Sequence, residues 1–215
     1  MMCNEAARRA SLSLIRDDFS QVGIPLRFPE GLPNLQSLDS IRITDPAVIA
    51  RAATDGAEMV QRRWSWGGPP SKTGAGKPVY NYRSEGREFR NSGTGGRCLI
   101  PLDGFYEFTD PAAEPDLLPG AKAKARKDKW LFTLGDPPAG VFCVAGLWRT
   151  DAKVGEAFTM LTCEPGPDIA PYHSRQIVLM PRERWAAWLD DAHPAATLIV
   201  PTPAGTLRVE KAVRR

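Results

Sequence analysis

The chain has 215 residues, 42% of them hydrophobic and 25% charged, and 28 basic against 25 acidic side chains give a net charge of +3. One core can bury most of the apolar surface of such a chain without help from disulfides or metal, and the composition excludes a disordered protein. No run of about 18 apolar residues is present, which excludes a membrane-spanning helix, and no apolar leader opens the sequence, so a cytoplasmic protein is expected.

Residues 5–19 read as an amphipathic helix, with Ala6, Ala7, Ala10, Leu14 and Ile15 on one stripe and Arg8, Arg9 and Arg16 off it. Pro25, Pro29 and Pro33 then break the chain into a loop. Residues 47–53 and 57–64 read as a hairpin turning at Asp55-Gly56. Residues 67–78 are rich in Gly, Pro, Ser and Lys and read as an exposed loop. Strand-length apolar runs recur at Cys98–Leu102, Trp130–Leu134, Val141–Trp148 and Phe158–Cys163. Between the first two lies a polar loop, 111–129, with Lys122, Lys124, Arg126, Lys127 and Lys129. Pro181 opens a short helix over 181–190 that carries Trp185, Trp188 and Leu189, and Ile177–Met180 and Leu198–Pro201 read as further strands. Many short strands with helices toward the ends predict an α+β fold: a single compact domain over 3–215, with a mostly antiparallel, barrel-like β core and flanking short helices.

Cys3, Cys98, Cys143 and Cys163 are widely spaced and form no C-x-x-C pair, which argues for free thiols over a zinc knuckle or redox motif. Only His173 and His193 can supply imidazole chemistry, so a histidine-rich metal site is not expected, and His193 before Pro194 reads as structural or solvated. Cys3 is either a tail thiol of no consequence or, once the leading methionines are removed, an N-terminal nucleophile. In the second case its α-amine, with a pKa of about 8, can attack an aldehyde and its thiol can close onto the imine. His173, beside Arg175, is either a surface or core histidine or a group that binds phosphate or moves protons. Glu107 stands among aromatics in Gly104-Phe105-Tyr106-Glu107-Phe108, where burial would raise its pKa toward that of a general acid–base. Asn81-Tyr82-Arg83-Ser84-Glu85 and Arg62-Arg63-Trp64-Ser65-Trp66 mix cations with aromatics, as a nucleic-acid groove does, though each also fits a plain strand. The Gly93–Gly96 stretch lacks the ending of a P-loop.

In chain order these blocks resemble the SOS-response-associated peptidase family, the abasic-site processing proteins. Met2-Cys3-Asn4 is similar to its Met-Cys start, Arg63-Trp64-Ser65-Trp66-Gly67 to its Arg-Trp-Gly block, and Asn81-Tyr82-Arg83-Ser84-Glu85 to Asn-Ala-Arg-x-Glu. Arg97–Phe108 resembles the family's longest signature, Ala145–Trp148 and Phe158–Thr162 its central strands, and Ala170–Arg175 its Pro-x-His-Asp-Arg block. Two blocks depart: Ser174 follows His173 where the family has Asp, and Ser40-Ile41-Arg42-Ile43-Thr44 replaces Asn-Ile-x-Pro-Thr.

The resemblance implies capture of abasic sites in single-stranded DNA as a covalent thiazolidine on Cys3, after removal of the leading Met. It implies that Asn81 orients Cys3, Glu107 shuttles protons, and His173 binds and helps open the sugar. Arg63, Arg83 and Arg175, with Trp64 and Trp66, would hold phosphates and bases. It implies autoproteolytic peptidase and lyase activity, a monomer associated with the nucleoid through DNA, no metal and no organic cofactor. Two other readings fit the same residues: a cysteine peptidase using Cys3, or Cys98, with His173, and a non-catalytic single-strand-binding module.

Overall fold

A computed structural model describes residues 3–70, 74, 76–111, 126–135 and 140–213. Met1, Met2, Lys122 and Lys124, and with them most of the 111–129 loop and part of the 67–78 loop, lie outside the described residues. The chain begins with β1 (Glu5–Arg8), α1 (Leu12–Gln21), β2 (Leu26–Arg27) and β3 (Leu38–Arg42). It continues through β4 (Pro46–Ala53), β5 (Gly56–Trp64), β6 (Asn81–Arg83), β7 (Gly95–Leu102) and β8 (Gly104–Thr109). Then follow β9 (Asp128–Leu134), β10 (Phe142–Asp151), β11 (Gly155–Cys163), β12 (Gln176–Ile177) and β13 (Leu179–Met180). A 3-10 turn at Arg182–Arg184 leads into α2 (Trp185–Leu189), α3 (Ala195–Leu198) and β14 (Leu207–Lys211).

Among the described residues the strands make two sheets. The smaller has the order β14-β9-β8-β1-β3; the larger runs β12-β11-β10-β7-β4-β5-β2, with β6 added to β11 and β13 to β10. Pairings are antiparallel except β11–β5, β11–β6 and β2–β5. The β11–β5 pairing sets Phe158 opposite Trp64 and joins two strands of one sheet, curling it into a barrel-like ring. The expected α+β fold with a mostly antiparallel, barrel-like core is the fold the chain adopts.

The larger sheet is covered on both sides. One face meets the smaller sheet through a core that includes Cys3, Ile49, Trp64, Ile100, Phe105, Phe132 and Phe158. The other carries Ile15 and Phe19 of α1, Trp185 and Trp188 of α2, and Leu198 of α3, packed on Val48, Leu99, Ala145 and Leu161. Burial on both faces is why β10 and β11 read as unbroken apolar runs rather than alternating ones. Each fully buried Phe, Leu or Ile side chain in these layers contributes about 1.5–3 kcal/mol. The β4–β5 hairpin turns where Asp55-Gly56 placed it; Gly56 has φ +123, and a Cβ there would collide with the Pro25 carbonyl oxygen.

Two expectations are corrected. Residues 5–8 form a strand, and the helix starts only after the Ser11 N-cap, whose hydroxyl accepts from Leu14 N at 3.3 Å. Ala6 and Ala7 fit a narrow slot beside Phe105 and Gly104, and this central pairing outweighs alanine's helix propensity. Leu198–Pro201 is not a strand: the chain is helical over Ala195–Leu198 and then extended without a partner strand. Leu38–Arg42, which takes in the first three residues of the departing Ser40–Thr44 block, is the strand β3 against β1. The helix over 181–190 is present as the 3-10 turn plus α2.

Candidate functional site

Cys3 stands just before β1, the strand held between β3 and β8. Glu5 lies opposite Tyr106, so the chain direction brings Cys3 to Glu107. Cys3 and Glu107 are both fully buried, so Cys3 is not a loose tail thiol. The Cys3 backbone N–H donates to Glu107 Oε1 at 2.9 Å, across 104 residues of sequence. Asn81 Nδ2 donates to the Cys3 carbonyl oxygen at 2.9 Å. The Cys3 thiol points to the Glu5 carbonyl oxygen, with Sγ 3.6 Å away. Two distant segments thus hold the backbone of one residue, one at its nitrogen and one at its carbonyl.

The electrostatics follow from burial. Desolvation lifts the Glu107 carboxyl from its ordinary 4.5 to about 7, against the pull of the Cys3 N–H bond. Its second oxygen, Oε2, is buried without a hydrogen-bond partner. Near neutral pH such a group both gives and takes a proton. Burial, and then the Glu107 carboxylate, push the Cys3 thiol well above its usual range. The thiol is therefore neutral at rest and bonded to a carbonyl, an arrangement unlike the thiolate–imidazole pair of a conventional cysteine peptidase.

Behind Cys3, Lys129 Nζ bonds Glu5 Oε1 at 2.7 Å and lies 3.8 Å from the Tyr106 ring centre. Ser40 Oγ donates to the same Glu5 oxygen at 2.6 Å. These contacts pin β1 in register. Lys129, expected in the polar loop, is part of β9.

His173 is half-buried, and burial lowers its pKa, so its ring is neutral at neutral pH. Its Nδ1 lies 3.1 Å from Arg175 N and 3.2 Å from the Arg175 carbonyl oxygen. The segment is moored by Tyr172, whose ring packs 4.9 Å from Trp130, the register partner of Glu107. Arg83 is exposed at the end of β6, opposite Thr162. Arg63 is half-buried, with Nη1 on the Thr44 carbonyl oxygen at 3.3 Å.

Arg175, Trp64 and Trp66 are engaged by protein groups. Arg175 is tied to Glu85 at 2.8 Å and to the Thr162 carbonyl oxygen at 2.9 Å, and only 15% of its side chain is exposed. Trp64 is fully buried, donates Nε1 to the Tyr80 carbonyl oxygen at 2.9 Å, and lies parallel to Phe158. Its faces are covered by protein and leave no face for a base. Trp66 is 6% exposed, with the Arg149 guanidinium 4.4 Å from its ring centre.

One residue escaped the sequence analysis. Tyr80 packs against the core that contains Cys3. Its phenol is raised by burial and then by Cys3 and Glu107, so it belongs to the same electrostatic neighbourhood. Its only sequence signal is that it precedes Asn81.

A family model described as SOS response associated peptidase (SRAP) matches residues 2–215. The chain belongs to this family. Solved structures share the family member's fold. A Bordetella bronchiseptica protein superposes with a TM-score of 0.68 at 19% identity, covering 99% of this chain and 100% of the other. A phage-related protein of the same organism gives 0.66 at 17%, covering 99% and 95%. A Bacteroides thetaiotaomicron protein gives 0.66 at 18%, covering 97% and 91%. No curated protein matches the chain. Among the described residues of this SRAP chain, no three His, Cys, Asp or Glu side chains converge as a metal site, and no helix is long and apolar enough to cross a membrane.

Proposed function

We propose that this SRAP-family chain captures abasic sites in single-stranded DNA as a thiazolidine on Cys3. The observation that carries the reading is that the site grips the nitrogen and carbonyl of Cys3 rather than activating its thiol. A nucleophile that must use its own α-nitrogen needs that grip; an internal cysteine acting through sulfur alone does not. Once the preceding residues are removed, the nitrogen beside Glu107 is an amine. It adds to the C1′ aldehyde of the ring-opened sugar, and loss of one water gives the imine. The thiol then adds across the C=N bond, its proton passing to nitrogen, and closes the five-membered ring. Amine, aldehyde and thiol become thiazolidine and one water. The buried Glu107 carboxyl, beside that nitrogen, takes the proton from the attacking nitrogen and returns one to the departing hydroxyl. His173 supplies a ring proton to the sugar oxygen, and exposed Arg83 holds a phosphate.

The same geometry favours self-processing as a preceding step. Water adds to the carbonyl carbon of the bond before Cys3, the C–N bond breaks, the acyl part is released as a carboxylate, and the Glu107 carboxyl, bonded to that nitrogen, protonates the leaving amine. Incubation with an abasic single strand followed by a denaturing gel tests the main reading. A shifted band that survives denaturation is the expected result, with intact mass showing a chain that begins at Cys3. Full crosslinking by a chain that retains Met2 would refute it. A band lost on denaturation would leave a simple DNA-binding module.

A further inference from the structure

β6 separates two surfaces. On one side Asn81 reaches Cys3. The next residue, Tyr82, packs into the opposite core, with its ring 6.4 Å from Phe89. There a groove of about 640 Å³ opens that contains none of the residues assigned to the reaction. It is lined by Trp66 and Tyr82, 6.2 Å apart, and by Arg87, Arg90 and Arg149. Among its described lining residues Glu88 is the one acidic group, and it faces Ala195 N at 3.0 Å and buried Arg97 at 3.8 Å.

The cations are mounted on the aromatics. Arg149 sits 4.4 Å from the Trp66 ring centre and is steadied by Asp151 at 2.9 Å and the Gly67 carbonyl oxygen at 3.3 Å. Asp151 offsets part of its charge, while Arg87 and Arg90 remain on the rim. Arg87 sits 4.8 Å from the Tyr82 ring centre and donates to its hydroxyl at 2.7 Å. Arg87, Arg90 and Arg149 are exposed. A guanidinium held over a ring offers its outer face to a base and its edge to a phosphate. Two such pairs side by side suit a ligand with alternating flat and anionic groups. A duplex, whose bases are already stacked, has no flat faces to offer.

We infer that this groove is a second, non-catalytic single-stranded-DNA subsite, taking the nucleotides that run past Arg83 and over β6 away from Cys3. It rests on the capture reading for its DNA, but its test does not depend on capture. The probe is undamaged labelled oligothymidylate of about 4 and about 16 nucleotides, followed by anisotropy. Affinity is expected to rise with length. The Arg87→Ser/Arg149→Ser chain should lose about tenfold on the long oligomer, the worth of one stacked base, and nothing on the short one. Arg149→Lys, which keeps charge but not the planar face, should retain the salt dependence and lose part of the affinity. It serves as the readout if the double variant melts early. Equal binding of the long oligomer by parent and variants overturns the inference, as does an equal loss on a duplex of the same length. If abasic DNA is not captured yet the length-dependent loss persists, the capture reading falls and the subsite stands. If capture proceeds and the variants bind the long oligomer like the parent, only the subsite falls.

Discussion

Glu107→Gln separates chemistry from architecture with opposite signs. The amide keeps the size of the carboxyl and an oxygen to accept the Cys3 N–H, so the 2.9 Å contact survives. It cannot transfer protons, and loss of a general acid–base slows reaction by about 10²–10⁴-fold. Stability should move the other way. In the folded chain the carboxyl titrates at about 7 instead of 4.5, so between these values the native state holds a proton that the unfolded state has lost. Native stability therefore falls as pH rises through that window, and the whole penalty is present above 7. At 1.36 kcal/mol per pH unit the penalty is about 3 kcal/mol. The glutamine chain should unfold at higher urea than the parent at pH 8, by up to about 3 kcal/mol, and at the same urea at pH 4. Its crosslinking rate at saturating abasic DNA should be low and should lose the inflection near pH 7. Denaturant melts at the two pH values and single-turnover gels provide the readings. A variant that crosslinks at the parental rate removes Glu107 from the chemistry. One that is destabilised equally at both pH values refutes the buried, proton-holding carboxyl.

Cys3→Ser should leave an amine that forms an imine but no stable ring, so borohydride should be needed to trap DNA; a stable adduct without reductant would count against closure by sulfur. Asn81→Ala removes one hydrogen bond to the Cys3 carbonyl, worth about 1 kcal/mol, and should slow crosslinking about fivefold at saturating DNA with little change in affinity, as stopped gels would show. Arg83→Ala should reduce the slope of log affinity against log salt by about 0.7, one phosphate contact on a single strand, and should slow capture only below saturation. An unchanged slope in a salt titration would move the strand away from β6.

Much of the fold was legible because some signals are local. Asp55-Gly56 marks a tight hairpin wherever it stands, and the apolar runs of β10 and β11 announce strands buried on both faces. Glu107 was legible from its aromatic neighbours, since a carboxyl among them is desolvated. Other features depend on partners far along the chain. The alanines of β1 carry a helical spacing and become a strand only because Gly104 leaves room beside them. The burial of Trp64 comes from Phe158 and Tyr80, and the engagement of Arg175 comes from Glu85. Neither is written in the residues next to it. Ser11 was a readable N-cap that the longer alanine stripe obscured.

The place of β1 in the middle of its sheet has a consequence for birth on the ribosome. β1 is flanked by β3 and by β8, and the carboxylate that meets Cys3 lies 104 residues further on. At about 5–20 residues per second, Cys3 waits roughly 5–20 s for Glu107 to be made, and longer until it clears the exit tunnel. During that interval the nitrogen has no acid–base partner and the thiol has no cover. The Cys3–Glu107 contact is thus a late event of folding, since β1 cannot be closed into the middle of its sheet before β8 has been made.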